Sequence, residues 1–510
     1  MKRKTIAILL VLWLGAFNAL YASSLDSIAI LEHNALWTRV LQKHADNPAS
    51  APTLYSTSLS SGSVSFDYQH SNKPFLYQKG TGHKVGKIDI QSYLLLPSNL
   101  CLWGSAGYKR GKIERISFNS AADFDILYPY VLGDTLQTSP TIEQYSFSGG
   151  AATTLKQWTI GAVIDFRAMQ QFSRKDPRTR SIATDLVLKV GAKYAFTTYD
   201  LGLDMGGIFY KQTNDVAFFR EEGTSKEYLY TGLGTNYARF SGNNLSAYYK
   251  ATGLLFDIHL NPRTKQGAFI SAGYRFVPYN QILPKLNALP LTTLYNTMWK
   301  AHFGWKAEQQ LGWSVYASVV HNRRLGNENV VGNAAGGEYR KLISMSMYKN
   351  RQWDYAVGAL LKVGDKHVFT AHVQGGYKTN KMQYVEPLRV MEANFIYVNT
   401  QMQYQQVVNS RSTLTLDVSS TVMNNVKKQL IMPFAVMDKN ITEMINLSYE
   451  HLKANAFQLE GSVLFTYKPA YWKSNKTLFA RLNGGFVGLK GYQQTNMSVA
   501  LGVYFNAIRR

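Results

Sequence analysis

Two interleaved registers constrain this chain more than any other feature. In residues 158–168 the even positions are Trp158, Ile160, Ala162, Ile164, Phe166 and Ala168, while the odd ones are Thr159, Gly161, Val163, Asp165 and Arg167. Residues 184–194 repeat the pattern: Leu186, Leu188, Val190 and Tyr194 alternate with Asp185, Val187, Lys189, Gly191 and Lys193. It returns in 299–306 (Trp299, Phe303 and Trp305 against Lys300, His302 and Lys306), in 411–418 (Leu414, Leu416 and Val418 against Arg411, Thr413 and Asp417), and in 495–505, which ends on Phe505. A period of two is the signature of strands, whose side chains point alternately to opposite faces. The segments run about ten residues or more, the length a tilted strand needs to cross a bilayer and longer than most globular strands.

That length decides the fold class. Hydrocarbon offers no hydrogen-bond partner to a backbone N–H or C=O, so strands that cross it must close into a barrel without edges. The chain is therefore expected to be all-β, a single closed antiparallel transmembrane β-barrel of 14–18 strands, even in number, with a short N-terminal helix. Aromatics at segment ends, such as Trp158, Trp299, Trp305, Trp313 and Tyr316, fit interfacial girdles. Short turns (Pro97-Ser98-Asn99, Gly364-Asp365, Asn409-Ser410) alternate with long connections expected at 114–142, 212–243, 277–294, 324–337 and 425–440. No fixed repeat period favours a propeller or solenoid.

The N-terminus reads as an export signal over 1–23: Lys2, Arg3 and Lys4, then the apolar run Ile6 to Leu14, then small residues at Ala22, Ser23 and Ser24. The sole cysteine, Cys101, lies far from that cleavage region, so a lipid anchor by that route is excluded, and one cysteine forms no internal disulfide. The expected location is the cell outer membrane of a Gram-negative bacterium. Residues 24–50 are expected to form one short amphipathic helix, from Ile30, Leu31, Trp37, Val40 and Leu41, with Asp26 as its cap and Asn47-Pro48-Ala49 as its end. It either plugs the lumen or sits in the periplasm. The barrel then occupies 51–510, with its last strand near 493–506.

The apolar register must face lipid, because a charge at the bilayer midplane costs about 2–4 kcal/mol. Asp165, Arg167, Asp185, Lys189, Lys193 and Asp417 are therefore the candidate lumen-facing charges. They read either as a salt-bridge ladder bracing a filled lumen or as a selectivity region for polar solutes. Bulky Val163, Val187, Phe269 and Phe479 in the same register favour a narrow or plugged interior, with little steady conductance and more once residues 24–50 are removed. A charge at Leu186 is expected to cost more than one at Val187.

Net charge is +23, of which residues 2–4 supply three positives, leaving +20 for the exported chain. Such a basic surface suits an anionic ligand or the sugar-phosphate face of an outer membrane, and nucleic acid is not expected as a partner. Metal, nucleophile-elbow and phosphate-loop motifs are absent, and the ten histidines, His302, His367 and His372 among them, are dispersed. The residues imply no enzyme, no metal and no cofactor. A lipid-modifying enzyme, with a His and a Ser converging on the outer face, is the weakest of the alternatives. Two loop stretches stand out as a folded cap, a ligand surface or loops packed into the barrel mouth: 124–134, rich in aromatics, and Asp176-Pro177-Arg178.

At these stretches the chain resembles an uncharacterised family of Bacteroidota outer-membrane β-barrels. The resemblance is carried by Asn47-Pro48-Ala49, Gly104-Ser105-Ala106 with Tyr108, Asp125 with Tyr128-Pro129-Tyr130, Glu143, Tyr145, Phe147, Gly149 and Gly150, Arg167-Ala168, and Asp176-Pro177-Arg178. It covers nearly the whole exported chain and implies fold and location, with no activity attached. Asn-Pro-Ala beside a plug-like helix also resembles long-chain fatty-acid transporters, whose other signs are missing here. Functionally the chain is expected to take part in envelope transport or uptake, as a narrow or plugged channel or as partner of an uptake complex. Its partners are outer-membrane lipid, barrel-insertion machinery, and an envelope lipoprotein or uptake receptor.

Overall fold

The computed structural model describes residues 25–44, 46–219, 226–242, 245–309, 311–335, 338–435, 439–472 and 476–509. The export signal lies outside the described residues.

Eighteen strands, labelled β1 to β18 in chain order, build one closed sheet. They are Thr57–Ser71, Gly82–Leu95, Leu100–Glu114, Thr141–Leu155, Trp158–Phe172, Arg178–Ala195, then Tyr199–Ala217, Ser246–Pro262, Gln266–Leu283, Leu289–Glu308, Leu311–Ala335, Glu338–Val363, and finally His367–Tyr384, Arg389–Asn409, Ser412–Ile431, Ala456–Tyr467, Thr477–Leu489 and Tyr492–Arg509. Each pairs antiparallel with the next, and β1 closes the ring on β18 from Thr57↔Arg509 to Ser71↔Gln494. The order is a plain meander, because every connection is a hairpin. The closing strand ends at Arg509, three residues beyond the expected 506.

The two registers fall where the alternation requires. Trp158, Ile160, Ile164, Phe166, Leu188, Val190, Trp299, Phe303, Trp305, Val418, Met497 and Leu501 are all exposed on the outer wall. Their neighbours Gly161, Lys189, Gly304 and Tyr504 are buried inside. Val187 also points inward, but it packs against the apolar core of the barrel mouth. A charge there meets apolar packing rather than water, so Leu186 and Val187 do not make the contrast expected from facing alone.

All turns at one end are short, from 96–99 through 156–157 to 410–411, apart from 468–476. Three long connections, 115–140, 218–245 and 432–455, crowd the other end. Two of the expected loops are strand instead. Residues 277–294 are β9 and β10 around a five-residue link, and 324–335 is the end of β11, which runs 25 residues beside the 26 of β12. Likewise β15 continues to Ile431, so the loop expected at 425–440 begins later. The turn-forming Asn and Gly residues there sit in strands that extend past the apolar belt, where both faces meet polar surroundings and alternation fades.

Candidate functional site

The site is the lumen, filled from both ends. From the short-turn end enters the N-terminal segment. It is two helices rather than one, α1 (Leu25–His33) and α2 (Leu36–Gln42), followed by a 3₁₀ turn at Pro48–Thr53. The break has a cause in the wall. Gln403, buried on β14, donates from Nε2 to the Asn34 carbonyl at 2.9 Å and accepts the Leu36 N–H on Oε1 at 2.7 Å. It thus satisfies the backbone groups that a helix interruption frees. Asp26 does not cap α1; it lies in the first turn and pairs with Lys468 at 2.5 Å.

Asn47-Pro48-Ala49 does not end the helix, which stops at Gln42. It docks the 3₁₀ turn onto the wall. The Asn47 side chain accepts from Ala49 N at 2.7 Å and donates to the Leu203 carbonyl at 3.0 Å. Opposite it the wall carries glycine: a Cβ on Gly161 lies 2.7 Å from the Pro48 carbonyl, and one on Gly191 collides with Asn47 Oδ1. Only glycine lets backbone and turn approach so closely.

Two small apolar patches hold the helices. Leu36, Trp37 and Val40 of α2 pack on Phe269, Tyr316 and Leu360, and Ala29 and Ile30 of α1 pack on Leu59, Tyr504 and Ala507, with Phe479 beside them. The remaining contacts are polar: Trp37 Nε1 to Glu308 at 3.3 Å, Arg39 to Asp417 at 2.8 Å, Gln405 to the Leu31 carbonyl at 3.0 Å, and Arg481 to Asn34 at 2.7 Å. Cavities of about 820 Å³ and 810 Å³ flank the plug on opposite sides.

The candidate charges divide between the two fillings. Lys189 lies 3.0 Å from Asp204 on β7 and 3.3 Å from Asp46 of the plug, whose carbonyl it also meets. Lys193 pairs with Asp200 at 3.4 Å and reaches Thr53 of the 3₁₀ turn at 3.3 Å. Asp417 holds Arg39 of α2. Arg167 instead grips Asp123 of the 115–140 connection through two hydrogen bonds, 2.8 and 2.7 Å, with Asp185 3.7 Å away. Asp165 is exposed to the lumen and shares no ion pair with these groups. The wall charges thus bind both the fillings and one another, with Asp257 also 4.0 Å from Lys189. Their partners Asp46, Asp123, Asp200, Asp204 and Asp257 were missed in sequence because a carboxylate in a strand or loop carries no mark of the cation that will face it.

A histidine cluster joins plug and wall. His44 sits 4.7 Å from His302, 4.7 Å from Tyr316 and 5.3 Å from Phe269, ring centre to ring centre, and the Tyr316 hydroxyl bonds His372 at 2.7 Å. Burial, and then the neighbouring His302, His372 and Lys43, push the His44 imidazole down to about 3. No group of three His, Cys, Asp or Glu among the described residues converges as metal ligands.

The long connections close the other end. The stretch 124–134 packs into the mouth: Phe124, Leu127, Tyr130, Val131 and Leu132 join Tyr228, Leu229, Tyr230, Ile441, Met444 and Ile445 in one apolar core with the wall residues Tyr210, Tyr249, Tyr279, Leu291, Tyr348 and Met391. Burial pushes the Tyr128 hydroxyl up to about 12. Arg389, 1% exposed, donates to the Leu233 carbonyl at 2.8 Å and the Phe434 carbonyl at 3.1 Å, tying two loops together. Asp176 receives Arg178 at 3.0 Å and the Phe219 N–H at 2.7 Å, a hinge-like brace at the rim rather than part of the lumen.

No curated protein matches the chain. Among solved structures it is similar to BauA, the ferric preacinetobactin receptor of Acinetobacter baumannii (8% identity over 88% of this chain and 80% of that one, TM-score 0.40). It is similar also to the FrpB iron transporter of Neisseria meningitidis (8%, 92% and 83%, 0.41) and to the CymD monoaromatic hydrocarbon channel (9%, 92% and 93%, 0.32). In sequence, residues 48–505, from the docking turn to the closing strand, match the family of unknown function DUF6850, and the chain belongs to that family.

Proposed function

We propose that the chain is an integral β-barrel of a Gram-negative outer membrane that serves envelope uptake as a channel closed at rest, with the N-terminal segment 25–56 as its movable part. The membrane reading is supported by the outward register of exposed apolar and aromatic residues, which is costly in water over so large a wall. No helix among the described residues is long and apolar enough to cross a membrane, so crossing falls to the strands. The observation that carries the gating reading is the asymmetry of the two fillings. The plug rests on two small apolar patches and a set of polar contacts with open volume on both sides, whereas the mouth is one continuous apolar core. A filling held mainly by exchangeable polar contacts gives way at lower cost than a packed core.

That same core favours a second reading, a non-conducting barrel that serves as partner to an envelope lipoprotein or uptake receptor. Planar-bilayer recording separates the two. The intact protein is expected to stay closed, and deletion of residues 25–44 to yield steady channels. A folded deletion variant that stays silent favours the scaffold.

A further inference from the structure

The outer wall carries a cationic row that has no function inside the lumen. Thr297 of β10, Arg323 of β11, Arg351 of β12 and Lys381 of β13 lie directly opposite one another along the sheet, followed by Glu392 of β14. Their facing is fixed by their neighbours. Arg324 turns inward to the Tyr128 carbonyl of the mouth, and Asn350 is buried inside, so Arg323 and Arg351 face out, and both are exposed. Lys349 stands one outward step further from the belt, and Lys427 joins from β15.

The height of the row is equally defined. One outward step toward the apolar belt stand Trp299, His321 and Trp353, with the His321 and Trp353 rings stacked at 3.9 Å. Another step down lie the exposed Tyr355, Tyr377 and Ile396. Apolar belt, aromatic girdle and then cations is the order of a bilayer crossed from hydrocarbon to headgroups. The end concerned carries the long connections, which in outer-membrane barrels face outward.

Like charges placed directly opposite on neighbouring strands repel. Among the described residues Arg323 and Arg351 share no ion pair. Glu392 is taken by Lys427 at 2.8 Å, with Lys381 at 3.9 Å. Elsewhere the rim shows both arrangements: Lys84 pairs with Glu114 at 2.9 Å and Arg110 lies opposite Glu143, while Lys211 and Lys250 stand opposed with no ion pair among the described residues, on two strands only. The unbalanced row spans three strands, about 10 Å at the usual strand spacing. Two planar guanidinium groups and an ammonium at headgroup height suit phosphate oxygens, which arginine takes two at a time.

We infer that the outward row Arg323–Arg351–Lys381 is a binding site for the phosphorylated sugar headgroup of an outer-leaflet glycolipid, with Trp299 and Trp353 against its acyl-sugar junction. The inference rests on the outer-membrane reading above. It is tested on the full-length protein purified from outer membranes in mild detergent, with bound glycolipid read by native mass spectrometry. Wild-type protein is expected to carry phosphorylated glycolipid, and the variant Arg323→Gln/Arg351→Gln/Lys381→Gln to lose it at least tenfold while Lys84→Gln retains it. Equal retention by the triple variant overturns the site, as does wild-type protein that sits in the outer membrane without glycolipid. Wild-type protein absent from the outer-membrane fraction overturns the membrane reading itself and the site with it. Should the triple variant fail to fold, Arg351→Gln alone is followed by thermal unfolding in detergent. Added phosphorylated glycolipid is expected to raise the midpoint of wild type more than that of the variant, and its dephosphorylated form to raise neither. Equal shifts in the two proteins, or stabilisation by the dephosphorylated form, overturn the site.

Discussion

Lys189 and Asp204 meet at 3.0 Å on neighbouring strands of the lumen wall, with side chains 8% and 0% exposed, and the plug lays Asp46 over the lysine. A buried pair is worth little against an apolar replacement, but losing one member strands the other at about 3–5 kcal/mol. Lys189→Met is therefore expected to destabilise the protein by that amount and to loosen the plug. Lys189→Met/Asp204→Leu should recover most of the loss, because the buried carboxylate goes with its partner and the Asp46 left behind is exposed to water. The check is urea unfolding in lipid vesicles; equal stability of Lys189→Met and wild type would show the pair to be idle.

Ile164 and Asp165 are adjacent on β5, and both are exposed, one outside the barrel and one within the lumen. Ile164→Arg places a charge on the lipid face and is expected to cost about 2–4 kcal/mol. Asp165→Arg places the same side chain in the lumen and is expected to cost well under half of that. Folding yields into vesicles decide it. Matching losses for the two variants would mean that the wall does not face hydrocarbon.

Strand existence and facing were legible because an apolar outer wall around a polar lumen imposes a strict period of two, seen whole in Trp158–Phe166 and Met497–Phe505. Past the belt that pressure ends. Leu325 to Ala335 read as loop for that reason, although their backbone pairs continue. The apolar spacing of Ile30, Leu31, Trp37, Val40 and Leu41 is helical across Asn34-Ala35, and the break there depends on Gln403, distant in sequence and silent in any local pattern. The candidate cations were visible as charges in an inward register. Which carboxylate each would meet depends on loop packing, as with Arg167 and Asp123, and no spacing encodes that.

Arg389 ties the mouth together by two carbonyls, at Leu233 and Phe434. Arg389→Met keeps most of the stem volume but leaves both carbonyls without this donor, at about 1–3 kcal/mol each where buried. The barrel is expected to persist while the 226–242 and 432–455 connections become sensitive to added protease on intact cells. Unchanged cleavage of those connections would place the strength of the mouth in its apolar core alone.

His44 makes plug seating dependent on pH. Its imidazole, ordinarily near 6.5, is held at about 3 in the seated plug, chiefly by burial. His302 and His372 face it from the wall and Lys43 from the plug, and positive charge on any of them acts in the same direction. The seated form therefore binds this proton more weakly than the released form. Above about pH 6.5 both forms are neutral and seating is at full strength. As pH falls from 6.5 toward 3 the released form gains a proton that the seated form resists, and seating weakens by up to about 1.4 kcal/mol per pH unit. Channel openings in planar bilayers are expected to grow rarer as pH rises toward 6.5 and to level off above it. His44→Phe keeps an aromatic ring against Phe269 and Tyr316 but cannot take the proton. Its openings are expected to vary far less between pH 4.5 and 6.5, and an acid response as steep as that of wild type would assign the effect to other groups.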